Sequence, residues 1–218
     1  MPHARKPRSP RPRAKPARAY HHGDLRQALV TVGLKLVEEG GADALSVREV
    51  ARRAGVSSGA PFRHFPSRIA LMIAIAEEAM RRFHAEFRRV LETAPTDDPI
   101  ARFRAIGVAY LRWAFRNPTH FQVLFDLSLF DFEGAETLRR QDQEVRAATE
   151  AAVADAIRRG QLGSDDIRLI QLTGHGLVYG LARIQVDGHM PRWGIGEAEA
   201  ERMAEAALDL LAAGLRKQ

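Results

Sequence analysis

The stretch "LSVREVARRAGVSSGAPFRHFPSRIAL", Leu45 to Leu71, decides how the rest of the chain is read. Ser46, with Glu49 three residues later, has the form of a capping box and opens a short helix. Val47, Val50 and Ala51 form the inner face of that helix. Ala54-Gly55-Val56 then reads as a tight turn, because Gly55 adopts a left-handed backbone at little cost. A second short helix is predicted from Ser57 to Phe65, stopped by Pro66. Ser67 caps the long amphipathic helix that follows, to about Glu92. A short helix, a glycine turn and a second short helix make a helix-turn-helix, spanning 46–65.

The residue types within this unit point to nucleic acid. Val56 and Phe65 are placed to pin the second helix to the body, which turns Ser57, Ser58, Gly59 and Ala60 outward. A helix that enters a major groove tip-first needs such small residues, so that its backbone and free N–H groups approach bases and phosphates. Pro61 is tolerated in a first turn, where the N–H groups lack intrahelical partners, and its ring suits a thymine methyl. Arg63 and His64 follow, with Arg48 on the preceding helix and Arg68 just beyond. Arginine pairs bidentately with guanine or phosphate.

Outward from this unit the pattern is helical throughout, which gives an all-α fold. Toward the N-terminus, Leu25, Ala28, Leu29, Val32, Leu36 and Val37 share one helical face. That helix is predicted to start at Asp24 and to end at Gly40-Gly41. Toward the C-terminus, "TAPTDDP" (93–99) is polar and proline-containing and reads as a boundary. Further helices are predicted at about 99–116, 118–131, 134–160, 165–188 and 196–216. The expected organisation is a disordered basic arm over 1–19, a helix-turn-helix domain over 20–66, a connecting helix over 67–92 and a helical domain over 97–218.

Charge placement separates the arm from the body. Seven of the 33 Lys and Arg residues lie in 1–19, with no acid among them, which leaves 26 bases against 27 acids elsewhere. Prolines 2, 7, 10, 12 and 16 keep the arm out of helix and sheet. Such an arm is either an electrostatic leash on phosphates or a solvated tail. The absence of cysteine excludes disulfides, thiolate zinc sites and thiol catalysis, and fits a reducing cytoplasm. The longest apolar run, Ile69 to Ala76, is far short of the roughly 20 residues that span a bilayer, and no secretory signal is expected. His21 and His22 in "YHHGD" are adjacent and diverge on a helix, and no other ligand or nucleophile pattern stands out. The expectation is therefore no enzyme, no catalytic residue, no metal and no cofactor.

The 45–71 stretch resembles the DNA-binding domain of the TetR family of bacterial transcriptional regulators, with the similarity strongest over about 24–75. Members of that family join a three-helix DNA-binding unit through a long helix to an all-helical, ligand-binding and dimerising domain. The resemblance implies that Ser46 and Arg48 touch phosphate or base edges. It also implies that Ser57 to Pro61, Arg63 and His64 form the recognition helix, and that Arg68 stands where a phosphate-binding lysine is usual. Phe62 departs from the family's usual tyrosine, whose hydroxyl meets a phosphate. Within the back half, "YLRWAFRNPTHFQVLFD" (110–126) and "LTGHGLVYGLARIQVDG" (172–188) resemble the branch with a Trp-His-Gly C-terminal domain. There His175 and Tyr179 stand in place of the tryptophan and histidine, and Gly180 is kept.

The resemblance implies an apolar effector pocket, for which Phe103, Tyr110, Trp113, Phe121, Phe125, His175 and Tyr179 are the aromatic candidates; at helical spacing the same residues also suit a packed core. Gly176 and Gly180 lie on one helix face and permit close approach of another helix. Met203, Ala207, Leu210, Leu211 and Gly214 offer a second such face, and two helices from each subunit form a four-helix homodimer interface. The expected partners are thus a double-stranded, palindromic DNA operator, a small apolar or amphipathic effector and a second copy of the chain, with no membrane. The rival reading is an architectural DNA-binding protein or an activator that senses no small molecule.

Overall fold

The computed structural model describes residues 22–126, 128–132 and 134–217, and side chains from Leu25 onward. The basic arm, His21 and the side chain of Asp24 lie outside what is described. Eight α-helices are present among the described residues: α1 (His22–Gly40), α2 (Val47–Arg53), α3 (Arg68–Thr93), α4 (Pro99–Arg116), α5 (Pro118–Phe125), α6 (Glu136–Arg158), α7 (Ile167–Val186) and α8 (Glu197–Leu215). No strand forms among them; a single antiparallel bridge joins Leu162 to Arg216.

Side-chain caps set most of the helix starts. Ser67 Oγ accepts from the Ala70 N–H at 3.1 Å, Asp98 Oδ1 accepts from Ile100 and Ala101 at 3.0 Å, and Asp166 Oδ1 accepts from Leu169 at 3.0 Å. Each satisfies donors that the first helical turn leaves without partners. Pro99 and Pro118 occupy first-turn positions, where their missing N–H costs nothing. Residues 118–131 do not form one helix: α5 stops at Phe125, and Asp126 Oδ1 instead accepts from the backbone N–H and the hydroxyl of Ser128, at 3.0 and 2.6 Å. That local bond competes with helix continuation. Short 3₁₀ turns at Ala42–Ala44 and Met190–Trp193 join α1 to α2 and α7 to α8, in segments too short for any apolar period to show.

One apolar cluster runs without a break from Leu29 in α1 to Leu208 in α8, passing through α3. The first half of α3 meets α1, where Gly33 leaves room for Ile75: a Cβ there would stand 2.9 Å from Ile75 Cδ1. The second half meets α4, where Phe83 packs on Tyr110 and Trp113 at ring distances of 5.6 and 4.9 Å. Two close crossings clamp α4 to the C-terminal helices. A Cβ on Gly107 would lie 2.6 Å from Leu208, and one on Gly174 would lie 2.6 Å from Phe103. Arginines of α4 then pair with acids of α8 along their antiparallel length. Arg104 binds Asp209, Arg112 binds Glu205 at 2.7 Å and Glu201 at 3.2 Å, and Arg116 reaches Glu201 at 3.4 Å.

Candidate nucleic-acid interface and ligand cavity

The predicted tip is present, built differently from the expected helix. Val47, Val50 and Ala51 are buried, and Phe65 is sealed in the core beneath the Arg26 guanidinium, 5.4 Å above its ring. Gly55 has φ 69°, and the Val56 N–H returns to the Ala51 carbonyl at 3.1 Å, which makes the tight turn. Ser57, Ser58 and Gly59 are exposed, and nothing lies within 4 Å of a Cβ placed on Gly59. Yet 57–65 is not an α-helix. Ala60 bonds back to Ser57 at 3.0 Å, and only Pro61–Arg63 form a 3₁₀ turn. Pro61 has no N–H to give to Ser57, whose carbonyl takes the Ala60 N–H instead, and a four-residue ring closes at the end of the segment, where the Phe65 N–H reaches the Pro61 carbonyl at 2.8 Å. So few peptide dipoles sum to little charge at the tip. Attraction for phosphate there rests on side chains.

Those side chains divide into free and committed groups. Arg48 and Arg63 are exposed, and His64 is half-buried beside Phe65. Phe62 projects, 45% exposed. Pro61, expected to present its ring to a thymine methyl, is buried and forms part of the tip's support. Arg68, expected on phosphate, donates to the carbonyls of Leu45 at 3.1 Å and Ala42 at 2.7 Å, with Asp43 at 3.5 Å. It ties the start of α3 to the Ala42–Ala44 turn. Ser46 Oγ accepts from the Glu49 N–H at 3.1 Å, but the reciprocal half of the capping box is replaced. The Glu49 carboxylate takes hydrogen bonds from Arg52 at 2.8 and 2.6 Å and from Arg53 at 3.1 Å, and these bring its pKa down to about 2. Arg53 also binds Glu39, which fastens α2 to α1.

A cavity of about 320 Å³ lies among α3, α4, α6 and α7, with Phe125 of α5 on its wall. Of the aromatic candidates, Phe103, Tyr110, Phe125 and His175 line it. Trp113 and Phe121 do not; they are buried in the core, and Tyr179 stacks behind His175 with ring centroids 6.0 Å apart. Sequence reading missed Met80 and Phe83 from α3, Asp142 and Arg146 from α6, and Arg168 and Gln171 from α7. They are distant in sequence, and each alone reads as core or as a solvated charge. Burial raises the Tyr110 phenol well above its ordinary pKa. His175 is lowered by burial first and by Arg146 second, with Asp142 opposing. It is therefore neutral near pH 7 although solvent reaches one side of it.

Gly176 and Gly180 face open space, with no atom within 4 Å of an added Cβ. Leu169 and Leu172 continue that exposed stripe, and Leu210 and Met203 are exposed on the neighbouring α8; Leu211 and Ala207 are half-buried, and Gly214 is open. Among the described residues no group of three His, Asp or Glu side chains is placed to hold a metal ion. No described helix is long and apolar enough to cross a membrane.

Comparison with protein families matches residues 29–75 to the profile of bacterial regulatory proteins of the tetR family. Residues 103–211 match the profile of the tetracyclin repressor-like C-terminal domain. The chain belongs to the TetR family of transcriptional regulators. The family's DNA-binding helix-turn-helix domain accounts for the match over residues 29–75. A solved protein with unknown function from Rhodococcus sp. RHA1 is 30% identical, covers 92% of this TetR-family chain and all of its own, and superposes with a TM-score of 0.76. A bacterial regulatory protein of the tetR family from Rhodococcus RHA1 is 17% identical over 87% of this chain and 96% of its own, with a TM-score of 0.68. The regulator FadR from Bacillus subtilis, solved in complex with stearoyl-CoA, is 15% identical over 87% of this chain and 98% of its own, with a TM-score of 0.69. A comparison with curated protein sequences found no match.

Proposed function

We propose that the protein is a ligand-responsive repressor in the cytoplasm, which binds a palindromic operator as a homodimer and releases it when a small apolar or amphipathic effector fills the cavity. The observation that carries this reading is the placement of α3. Its first turn follows the 57–63 tip in the chain, and Met80 and Phe83, further along the same helix, line the cavity. A ligand that displaces those two side chains acts on the element that positions the tip. Binding that favours one orientation of α3 shifts the population toward it and alters DNA affinity reciprocally. The Bacillus subtilis neighbour with stearoyl-CoA supports an effector with an apolar body.

The proposed DNA-contacting set is Ser46, Arg48, Ser57, Ser58, Gly59, Ala60, Arg63 and His64; Pro61 and Arg68 act behind it as supports. The proposed dimer face is the exposed stripe of Gly176 and Gly180 with Met203, Leu210 and Gly214. Two tips are needed because one short turn reads few bases, whereas two placed one helical turn apart, about 34–36 Å, read a palindrome. Selection of bound fragments from a random DNA pool tests the reading. Two inverted half-sites are expected, and Arg63→Ala should weaken binding to the selected site by about 1–3 kcal/mol. A single asymmetric site, or unchanged affinity in the variant, would overturn it.

A further inference from the structure

The cavity has an uneven charge. Asp142 and Arg146 face it from α6 and neutralise each other through a 2.7 Å ion pair. Gln171 is turned toward the Arg146 carbonyl, to which its Nε2 donates at 3.2 Å. His175 is neutral near pH 7, because burial and the neighbouring Arg146 both disfavour its charged form. Arg168, exposed at the start of α7, has no ion pair or hydrogen bond among the described residues. The lining therefore carries one uncompensated positive charge, at the rim. On the inner wall Tyr110 is 6% exposed, and its buried hydroxyl has no protein hydrogen-bond partner. Buried polar groups in folded proteins are nearly always paired, so an orphan hydroxyl on a cavity wall marks a position for a ligand group. Phe83, Phe103, Phe125 and Val178 supply the apolar surface around it. At about 320 Å³ the space is near the lower end of ligand pockets, roughly 300–1,000 Å³.

We propose that the cavity binds a compact amphipathic anion: an apolar body among the phenylalanines, an acidic group held by Arg168 at the rim, and a hydrogen-bonding group reaching the Tyr110 hydroxyl. This rests on reading the cavity as the effector site and narrows the class of molecule. A neutral amphiphile leaves Arg168 unused, and a cationic one meets it with repulsion. Exposed pairing of this kind weakens with salt, so the preference for anions is largest at low ionic strength.

The test uses the full chain and matched probes that differ only in the head group: 4-phenylbutyrate, 4-phenylbutanol and 4-phenylbutylamine, with decanoate, decanol and decylamine as a second set. Calorimetric titration without DNA should show the acid binding about three-fold tighter than the alcohol and at least ten-fold tighter than the amine in at least one set. Arg168→Gln should abolish that order and Arg168→Lys should keep it. Arg168 holds no other side chain in place, so unchanged thermal unfolding of both variants is expected and reports that the fold is intact. A fourth probe, 4-(4-hydroxyphenyl)butyrate, should gain about five-fold over its parent acid, and Tyr110→Phe should remove the gain. Equal or better binding of alcohol or amine, an acid preference that survives Arg168→Gln, a hydroxyl gain that survives Tyr110→Phe, or no binding by any probe would overturn the proposal. Operator release is measured separately. Acid-selective binding that leaves DNA affinity unchanged would keep this ligand class and remove the effector-controlled reading instead.

Discussion

Phe62 is the middle residue of the 61–63 turn, nearly half exposed, between buried Pro61 and exposed Arg63. On the proposed DNA face it presents an apolar edge with no hydroxyl to donate to phosphate. Phe62→Tyr should therefore tighten operator binding by about 1 kcal/mol, roughly five-fold, the order of one hydrogen bond at a wet interface. A filter-binding titration against the selected site measures it, and no gain would place that side chain away from the backbone of the DNA. Arg68 teaches the opposite lesson. By sequence position it is a base next to a DNA-binding tip, and in the fold its guanidinium is consumed by the Ala42 and Leu45 carbonyls. Only the geometry of the Ala42–Ala44 turn distinguishes the two uses, and nothing in the residue's neighbours along the chain encodes it.

At the scale of elements, seven of the eight helices are legible nearly to their ends. Caps at Ser46, Ser67, Asp98 and Asp166, first-turn prolines and stops at Gly40-Gly41 and Gly160 are local signals, so local reading suffices. The residue types of the tip suit a regular helix, and the missing N–H of Pro61 decides otherwise. The cavity wall is half legible: Phe103, Tyr110, Phe125 and His175 line it, but Trp113 and Phe121 fill core, and spacing along one helix cannot say which neighbour a ring meets. The junction of α5 with α3 is not legible at all. There His120 is 5% exposed, its Nε2 without a protein partner, near Glu78. Burial would hold Glu78 high, but hydrogen bonds from Arg81 and Arg82 bring it down to about 2. Burial lowers His120 below its ordinary 6.5, and Arg82 lowers it further, against Glu78. An unfolded chain takes up that proton more readily than the folded one, so the contribution of neutral His120 is present above pH 6.5 and is lost as pH falls through its folded pKa. Denaturant titrations from pH 7.5 to 5.5 should show stability falling on acidification, with a smaller fall in His120→Leu. Parallel curves would remove His120 from the account. Glu78, depressed from 4.5, acts in a separate window below that pH.

For the whole molecule, charge is divided by region. The body carries 26 bases against 27 acids, and many of its arginines are spent on neighbouring carboxylates, as Arg52, Arg81, Arg89 and Arg104 are. The seven bases of residues 1–19, with no acid among them, are the block of charge left unbalanced. Removing those residues should reduce the slope of log affinity against log salt by about 0.9 for each phosphate that the arm neutralises. An unchanged slope in titrations across salt would make the arm a solvated tail. The continuous core has a mechanical consequence. Packed into that core along both halves, α3 is a rod of 26 residues, about 39 Å long at 1.5 Å per residue. Phe83 lies 15 residues from the rod's first residue, a lever arm of about 22 Å. A tilt of about 5° about that point would swing the tip end by about 2 Å, and in the proposed dimer two mirrored rods would change their tip separation by about 4 Å, more than the roughly 3.4 Å step from one base pair to the next. A molecule that shifts one phenylalanine slightly would thus put the two tips out of step with the groove by a full rung of the ladder.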